Sequence, residues 1–183
     1  MENKILYINS CIRPASRTAE LAECVLGKLN GCVTEVNIFK ENIKPLDVTS
    51  LAKRDSRDFS DEDFNLAKQF ALADVIVVAA PFWDLSFPAL LKVYLENITV
   101  AGITFEYSKE GRPVSKCKAK KLCYVTTSGG YIGNNNYGFD YVKALCNNFF
   151  GIEDVVCFTA EGLDIYGADV ASIMDEAKKN ILL

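Results

Sequence analysis

Short apolar runs alternate along this chain with segments whose apolar residues recur every three or four positions. That pattern predicts strands alternating with amphipathic helices. Lys4 to Ile8 reads as a first strand, and its Ile, Leu and Tyr run suits burial on both faces. From Thr18 to Leu29, residues Leu21, Val25, Leu26 and Leu29 line one helical face. Val33 to Phe39 alternates, with polar Glu35 and Asn37 interleaved with Val36 and Ile38, which marks a strand with one wetter side and hence an edge. Lys40 to Phe59 reads as a polar loop, after which Ser60 and Asp63 resemble a capping box opening a helix through Phe70. Asp74 to Ala80 gives the strongest strand signal, and Pro81 ends it because proline cannot continue a central ladder. Pro88 stands near the first turn of a helix running to Asn97. Lys121 to Thr127 is the next strand. Tyr137 to Phe150 is helical, with Phe139, Val142, Cys146 and Phe149 on one face. Val155 to Phe158 is the last strand, and Val170, Ile173, Met174, Ala177 and Ile181 stripe the last helix.

Five strands alternating with helices, with no repeat and no low-complexity segment, predict one α/β unit over residues 1–183. The expected architecture is a flavodoxin-like three-layer sandwich, a parallel sheet of order 2-1-3-4-5 with helices on both faces. Competing α/β folds lack their signatures here. No G-x-G-x-x-G follows the first strand, no G-x-x-x-x-G-K-[ST] occurs, and Asn9 and Ser10 stand where a phosphoacceptor receiver domain carries acidic residues.

Composition narrows the chemistry. The 183 residues carry Lys+Arg 20 against Asp+Glu 24, a net charge of −4. That balance argues against nucleic acid, whose binders cluster cations. The basic stretch from Lys109 to Lys121 reads as a solvated loop leading into a strand. There are no histidines, so Ser–His–Asp and Cys–His triads and imidazole metal sites are excluded. Seven cysteines without a Cys-x-x-Cys fit neither a disulfide framework nor a zinc site. No apolar run is long enough for a signal peptide or a membrane span. The expectation is a cytoplasmic protein with free thiols, no metal and no membrane insertion.

In open parallel sheets, ligands bind beyond the carboxyl ends of the strands where the strand order reverses. The segments leaving the first, third and fourth strands are the unusual ones. The first concentrates Ser10, Ser16 and Thr18 ahead of a helix, with Arg13 and Arg17 beside them. Helix N-termini present free N–H groups to a phosphate, although Ser16 or Thr18 also reads as a plain N-cap. The second carries Pro81, Phe82, Trp83, Asp84 and Leu85. Its aromatic rings can floor a flat ring system or simply fill core. The third is Thr127-Ser128-Gly129-Gly130, where glycine lets a ligand approach the backbone or merely allows a turn. Together these segments suit one ligand with a phosphate at one end and a planar heterocycle at the other. FMN has that shape, whereas NAD needs a second phosphate cradle.

At these loops the sequence resembles the flavodoxin-like NAD(P)H dehydrogenases, the FMN-dependent quinone reductases and azoreductases. Ser10 and Ser16-Arg17-Thr18-Ala19-Glu20-Leu21 resemble the family's phosphate loop. Ala80-Pro81-Phe82-Trp83-Asp84-Leu85-Ser86-Phe87-Pro88-Ala89-Leu90-Leu91-Lys92 resembles its isoalloxazine loop and the following helix. Ala101 to Tyr107 resembles the hairpin after it, and Thr127-Ser128-Gly129-Gly130 and Ala160-Glu161-Gly162 match later landmarks. The resemblance implies FMN as cofactor and NADH or NADPH as reductant. It also implies a quinone or azo acceptor, ping-pong hydride transfer and a homodimer with its sites at the interface. Catalysis then needs no side-chain acid or base, because the cofactor carries the chemistry. Two features depart from the group: Asp84 stands where azoreductases commonly carry Asn, and the chain is short, which implies a trimmed substrate cover. The alternative function is a flavodoxin-type single-electron carrier, whose phosphate loop would read Thr-x-Thr-Gly-x-Thr. Ser16-Arg17-Thr18 does not match that loop.

Overall fold

A computed structural model describes residues 2–183. The strands are β1 (Lys4–Asn9), β2 (Cys32–Asn37), β3 (Val75–Ala79), a hairpin of β4 (Phe105–Tyr107) and β5 (Pro113–Ser115), then β6 (Lys121–Thr127) and β7 (Asp154–Ala160). Five of them form one parallel sheet of order β2-β1-β3-β6-β7, with the hairpin standing apart. Leaving the hairpin out, this is the flavodoxin-like order 2-1-3-4-5 expected from the sequence.

The helices are α1 (Arg17–Lys28), α2 (Val48–Ser56), α3 (Asn65–Leu72), α4 (Ala89–Ile98), α5 (Tyr137–Leu145) and α6 (Val170–Lys179). Strand side chains alternate between faces, so a strand covered on both sides must be apolar at every position. Leu6 and Ile8 of β1 pack with α3, α4 and α5, whereas Ile5 and Tyr7 pack with α1 and α6. This explains the unbroken apolar run of the first strand. β2 has a single neighbour, β1, and exposes Cys32, Val33, Thr34 and Glu35, as its alternation predicts for an edge.

Two helical segments differ from expectation, and within the basic stretch read as a loop, residues 113–115 form strand β5. Residues 40–59 contain helix α2 rather than loop alone. Asp47 caps it, accepting from Ser50 N at 2.8 Å while Ser50 Oγ accepts from Asp47 N at 2.7 Å. The helix buries none of its residues, so it leaves no apolar stripe to read. Two side chains tie it down: Lys53, paired with Asp61 at 2.7 Å and Asp63 at 2.5 Å, and Arg54, whose guanidinium donates to the carbonyls of Glu96 (2.9 Å), Asn97 (3.3 Å) and Thr99 (3.2 Å) at the end of α4. Those carbonyls lack helical partners and attract cations. The following cap is Asp61 rather than Ser60: its carboxylate accepts from Asp63 N at 2.9 Å and opens a 3₁₀ turn, Glu62–Phe64, that leads into α3.

The second difference is at the end of α5, which passes into a π-helical turn over Cys146–Phe150. The wider turn rotates the last residues, so Phe150 rather than Phe149 is fully buried, 4.7 Å from the Phe70 ring. Gly151, at φ 62°, reverses the chain there. No helix among the described residues is long and apolar enough to cross a membrane.

All seven cysteines are free thiols. Burial pushes Cys117, Cys146 and Cys157 up to about 12 and Cys123 up to about 11, so these remain neutral thiols at physiological pH. Cys32, on the edge strand, is exposed. Titration of the native protein with a chromogenic disulfide reagent at neutral pH is therefore expected to show one fast thiol. Cys32→Ser should abolish that phase, and a fast phase persisting in the variant would place the reactive thiol elsewhere.

Candidate functional site

β1 and β3 lie side by side at the centre of the sheet. The chain leaves β1 to form α1 on one face and leaves β3 to form α4 on the other. Their carboxyl ends therefore diverge, and a cleft of about 320 Å³ opens above them and β6. Among the residues expected from sequence, Ser16, Arg17, Thr18, Pro81, Phe82, Trp83, Thr127, Ser128 and Gly129 line it. Ser10, Asp84, Leu85 and Gly130 stand just outside its lining. Ile12, Ala15, Leu163 and Asp164 line it and were not singled out. The last two lie on the loop after β7, next to the Ala160-Glu161-Gly162 landmark. Applying the strand-end rule to the fifth strand of the sheet finds them.

At the α1 end, the cleft is built from backbone. Ser16 is the N-cap, and its Oγ accepts from Ala19 N at 3.3 Å. The N–H groups of Ser16, Arg17 and Thr18 have no acceptor among the described residues. These are the orphan donors every helix start leaves, at the positive end of the helix dipole, and they suit an anion. The hydroxyls are more committed. Ser10 is fully buried and its Oγ donates to Ala79 O at 2.7 Å, which latches the end of β1 to the end of β3. Thr18 is also buried, its Oγ1 sharing a hydrogen bond of 2.6 Å with Thr127 Oγ1 on β6. Cys11 lies between them, and burial pushes its thiol up from the usual range.

Phe82 and Trp83 form the wall that leaves β3. Phe82 N donates to Thr127 O at 3.1 Å, continuing the ladder past the strand. Trp83 and Ser86 then exchange two backbone hydrogen bonds of 3.0 and 2.8 Å around a two-residue turn. Its central residues, Asp84 and Leu85, both have positive φ, 51° and 68°. That is the turn which favours Asn-Gly, and Leu in the left-handed region is strained. The strain is held by α5, because Tyr137 N donates to Leu85 O at 3.1 Å. The Asp84 carboxylate makes no hydrogen bond or ion pair among the described residues. It does not cap α4 either, whose N-cap is Pro88.

The loops after β6 and β7 are zipped together. Leu163 N donates to Ser128 O at 3.1 Å, Asp164 N to Gly129 O at 2.9 Å and Gly162 N to Gly130 O at 3.0 Å. The Ser128 hydroxyl closes its own turn on Gly130 O at 2.5 Å. A Cβ at Gly129 would lie 2.5 Å from Asp164 Oδ2, so the carboxylate fills the space that glycine vacates. Asp164 in turn pairs with Arg17 at 2.8 Å, with side chains 67% and 40% exposed. A pair this exposed contributes about 0–1 kcal/mol to stability. Its significance is where it puts the guanidinium. A larger groove of about 500 Å³ lies between residues 41–50 and 62–66. Its Lys53 is already bonded to Asp61 and Asp63, and no strand end converges on it.

The donor set fits a phosphate joined to a flat ring: orphan N–H groups at one end, an aromatic wall and a glycine loop at the other, in a cleft of small-molecule size. Comparison with known proteins agrees. A family model described as a flavodoxin-like fold matches residues 3–182. An FMN-dependent NADH:quinone oxidoreductase of Clostridium beijerinckii is 36% identical over 189 residues, covering 96% of this chain and 94% of its own. Among solved structures, an azoreductase from Bacillus anthracis str. Sterne matches with a TM-score of 0.82 at 24% identity, covering 97% of this chain and 95% of that one. An FMN-dependent NADH-azoreductase from Bacillus anthracis str. Ames Ancestor, solved in complex with FMN, matches with a TM-score of 0.80 at 24% identity over 97% and 94% of the two chains. With its sheet order, its strand-end cleft and this coverage in agreement, the chain belongs to the flavodoxin-like fold family.

Proposed function

We propose that this protein is an FMN-dependent oxidoreductase that passes reducing equivalents from NADH or NADPH to a quinone, an azo compound or a similar small acceptor. The observation that carries the reading is the unlike chemistry of the two ends of one cleft. Unpaired N–H groups at Ser16, Arg17 and Thr18 sit at one end, and Phe82 and Trp83 stand at the other. The naming of the 36% identical relative supports it over single-electron carriage. In this reading residues 1–183 form one FMN-binding unit in the cytoplasm.

Bound FMN supplies the two-electron chemistry. The chain's own residues bind and orient it. The start of α1 and Arg17 hold the phosphate, with Ser10 and Thr18 bracing that loop from beneath. The Pro81–Leu85 segment supports the ring, and the Thr127-Ser128-Gly129-Gly130 loop offers its polar edge the N–H groups of Gly129 and Gly130, which have no acceptor among the described residues. No histidine exists anywhere in the chain to relay a proton.

The mouth of the cleft is rimmed by exposed apolar side chains: Trp83 (39%), Leu85 (49%), Tyr131 (80%) and Tyr137 (57%). A rim of this kind marks an interaction surface, and a second copy of the chain covers it in the homodimer that the family resemblance implies.

The purified protein is expected to hold about one equivalent of FMN and to oxidise NADH or NADPH when benzoquinone is added. Colourless protein that ignores added FMN in a fluorescence-quenching titration would overturn the reading. Light scattering at micromolar concentration should give about twice the 20.2 kDa chain mass, and the single-chain value would refute the dimer. The unpaired Asp84 carboxylate should disfavour negative charge on the cofactor. Asp84→Asn is then expected to raise the midpoint potential by about 30 mV, equal to ~1.4 kcal/mol for a two-electron couple. Superimposable spectroelectrochemical titrations would leave Asp84 without that role.

A further inference from the structure

We infer that Asp164 is a positioning residue for a phosphomonoester, acting by holding Arg17 at the phosphate end of the cleft. The inference rests on the FMN reading above and adds a residue to it. Arg17 and Arg13 both line the cleft, but they are held differently. Arg13 is exposed and makes no ion pair among the described residues. Arg17 is anchored through one nitrogen: Nη1 donates to Asp164 Oδ1 at 2.8 Å and reaches Leu163 O at 3.4 Å. Its Nε and Nη2 have no acceptor among the described residues. The guanidinium is therefore fixed at one corner and open along the rest of its fork, which is the arrangement for receiving phosphate oxygens. It springs from the first residue of α1, beside the unpaired N–H groups of Ser16, Arg17 and Thr18.

The backbone of the anchor is itself held. Asp164 N donates to Gly129 O at 2.9 Å, and its carboxylate lies so close over Gly129 that a Cβ there would come within 2.5 Å of Oδ2. The glycine loop after β6 thus holds the backbone from which the carboxylate springs, and the carboxylate bonds the arginine. A long arginine side chain left unanchored loses more rotamer freedom when an anion captures it. Pre-ordering removes part of that cost before the ligand arrives. The pair carries no net charge, so what it offers a phosphate is placed N–H donors rather than added charge.

The test is a double-mutant cycle on the apoprotein, titrated with FMN and with riboflavin, which lacks the phosphate. Asp164→Ala is expected to weaken FMN about threefold, or ~0.65 kcal/mol, and to leave riboflavin affinity unchanged. Asp164→Asn keeps an oxygen acceptor and should lose less. In an Arg17→Ala background, Asp164→Ala should no longer weaken FMN. The inference is overturned if FMN and riboflavin weaken together, which would make Asp164 a support of the loop alone. It is equally overturned if FMN binds more tightly to Asp164→Ala, or if the loss persists without Arg17. A wild-type protein that binds neither flavin would remove the FMN reading itself. FMN binding that is indifferent to Asp164 removes only this inference.

Discussion

The reversal of winding between β1 and β3 is the constraint on which the rest of the molecule depends. Parallel strands need crossovers, and crossovers are right-handed, so a chain that builds outward from the centre in two directions places its helices on opposite faces. Here α1 and α6 cover one face and α3, α4 and α5 the other. Both faces of β1, β3 and β6 are then dry, so their side chains are mostly apolar, and the hydroxyls of Tyr124 and Thr126 on β6 are buried without a hydrogen-bond partner among the described residues. Polar chemistry gathers at the carboxyl ends, and the divergence of the connections after β1 and after β3 leaves the cleft there. Ser10 shows how close the two regimes lie: one residue past β1, it is fully buried and bonded to Ala79 O.

The cleft is made chiefly of backbone held rigidly by contacts outside it. The start of α1 is braced by the Thr18–Thr127 hydroxyl bond, the Trp83–Ser86 turn by Tyr137 N, and the loop after β6 by its zip to the loop after β7. Each brace joins a different pair of elements, so distortion of one loop is resisted by a separate part of the core. This suits a protein whose own side chains include no histidine and few ionisable groups in the site. Strain is accepted at Asp84 and Leu85, where a two-residue turn in the left-handed region lets the chain double back immediately after the aromatic wall.

The sequence by itself determined the layers, the strands and most of the site. Apolar runs of strand length and stripes of helical period report burial directly, because each follows from how local side chains point. The loops with Ser16-Arg17-Thr18, Pro81-Phe82-Trp83 and Thr127-Ser128-Gly129 were therefore legible, placed by the strand ends that precede them. The tertiary structure alone decided the rest. Helix α2 is tied by Arg54 to the end of α4 and by Lys53 to Asp61 and Asp63, and it carries no buried stripe to betray it. The positive φ of Leu85 is not written in an Asp-Leu pair, because Asp tolerates that region and Leu does not; neighbouring elements impose it. Arg17 and Asp164 stand 147 residues apart, and nothing in either segment's periodicity connects them. Hydrophobic periodicity encodes which face of an element is dry. It does not encode which loops meet once those faces have been buried, and that meeting is what gives the site its charges and its rigidity.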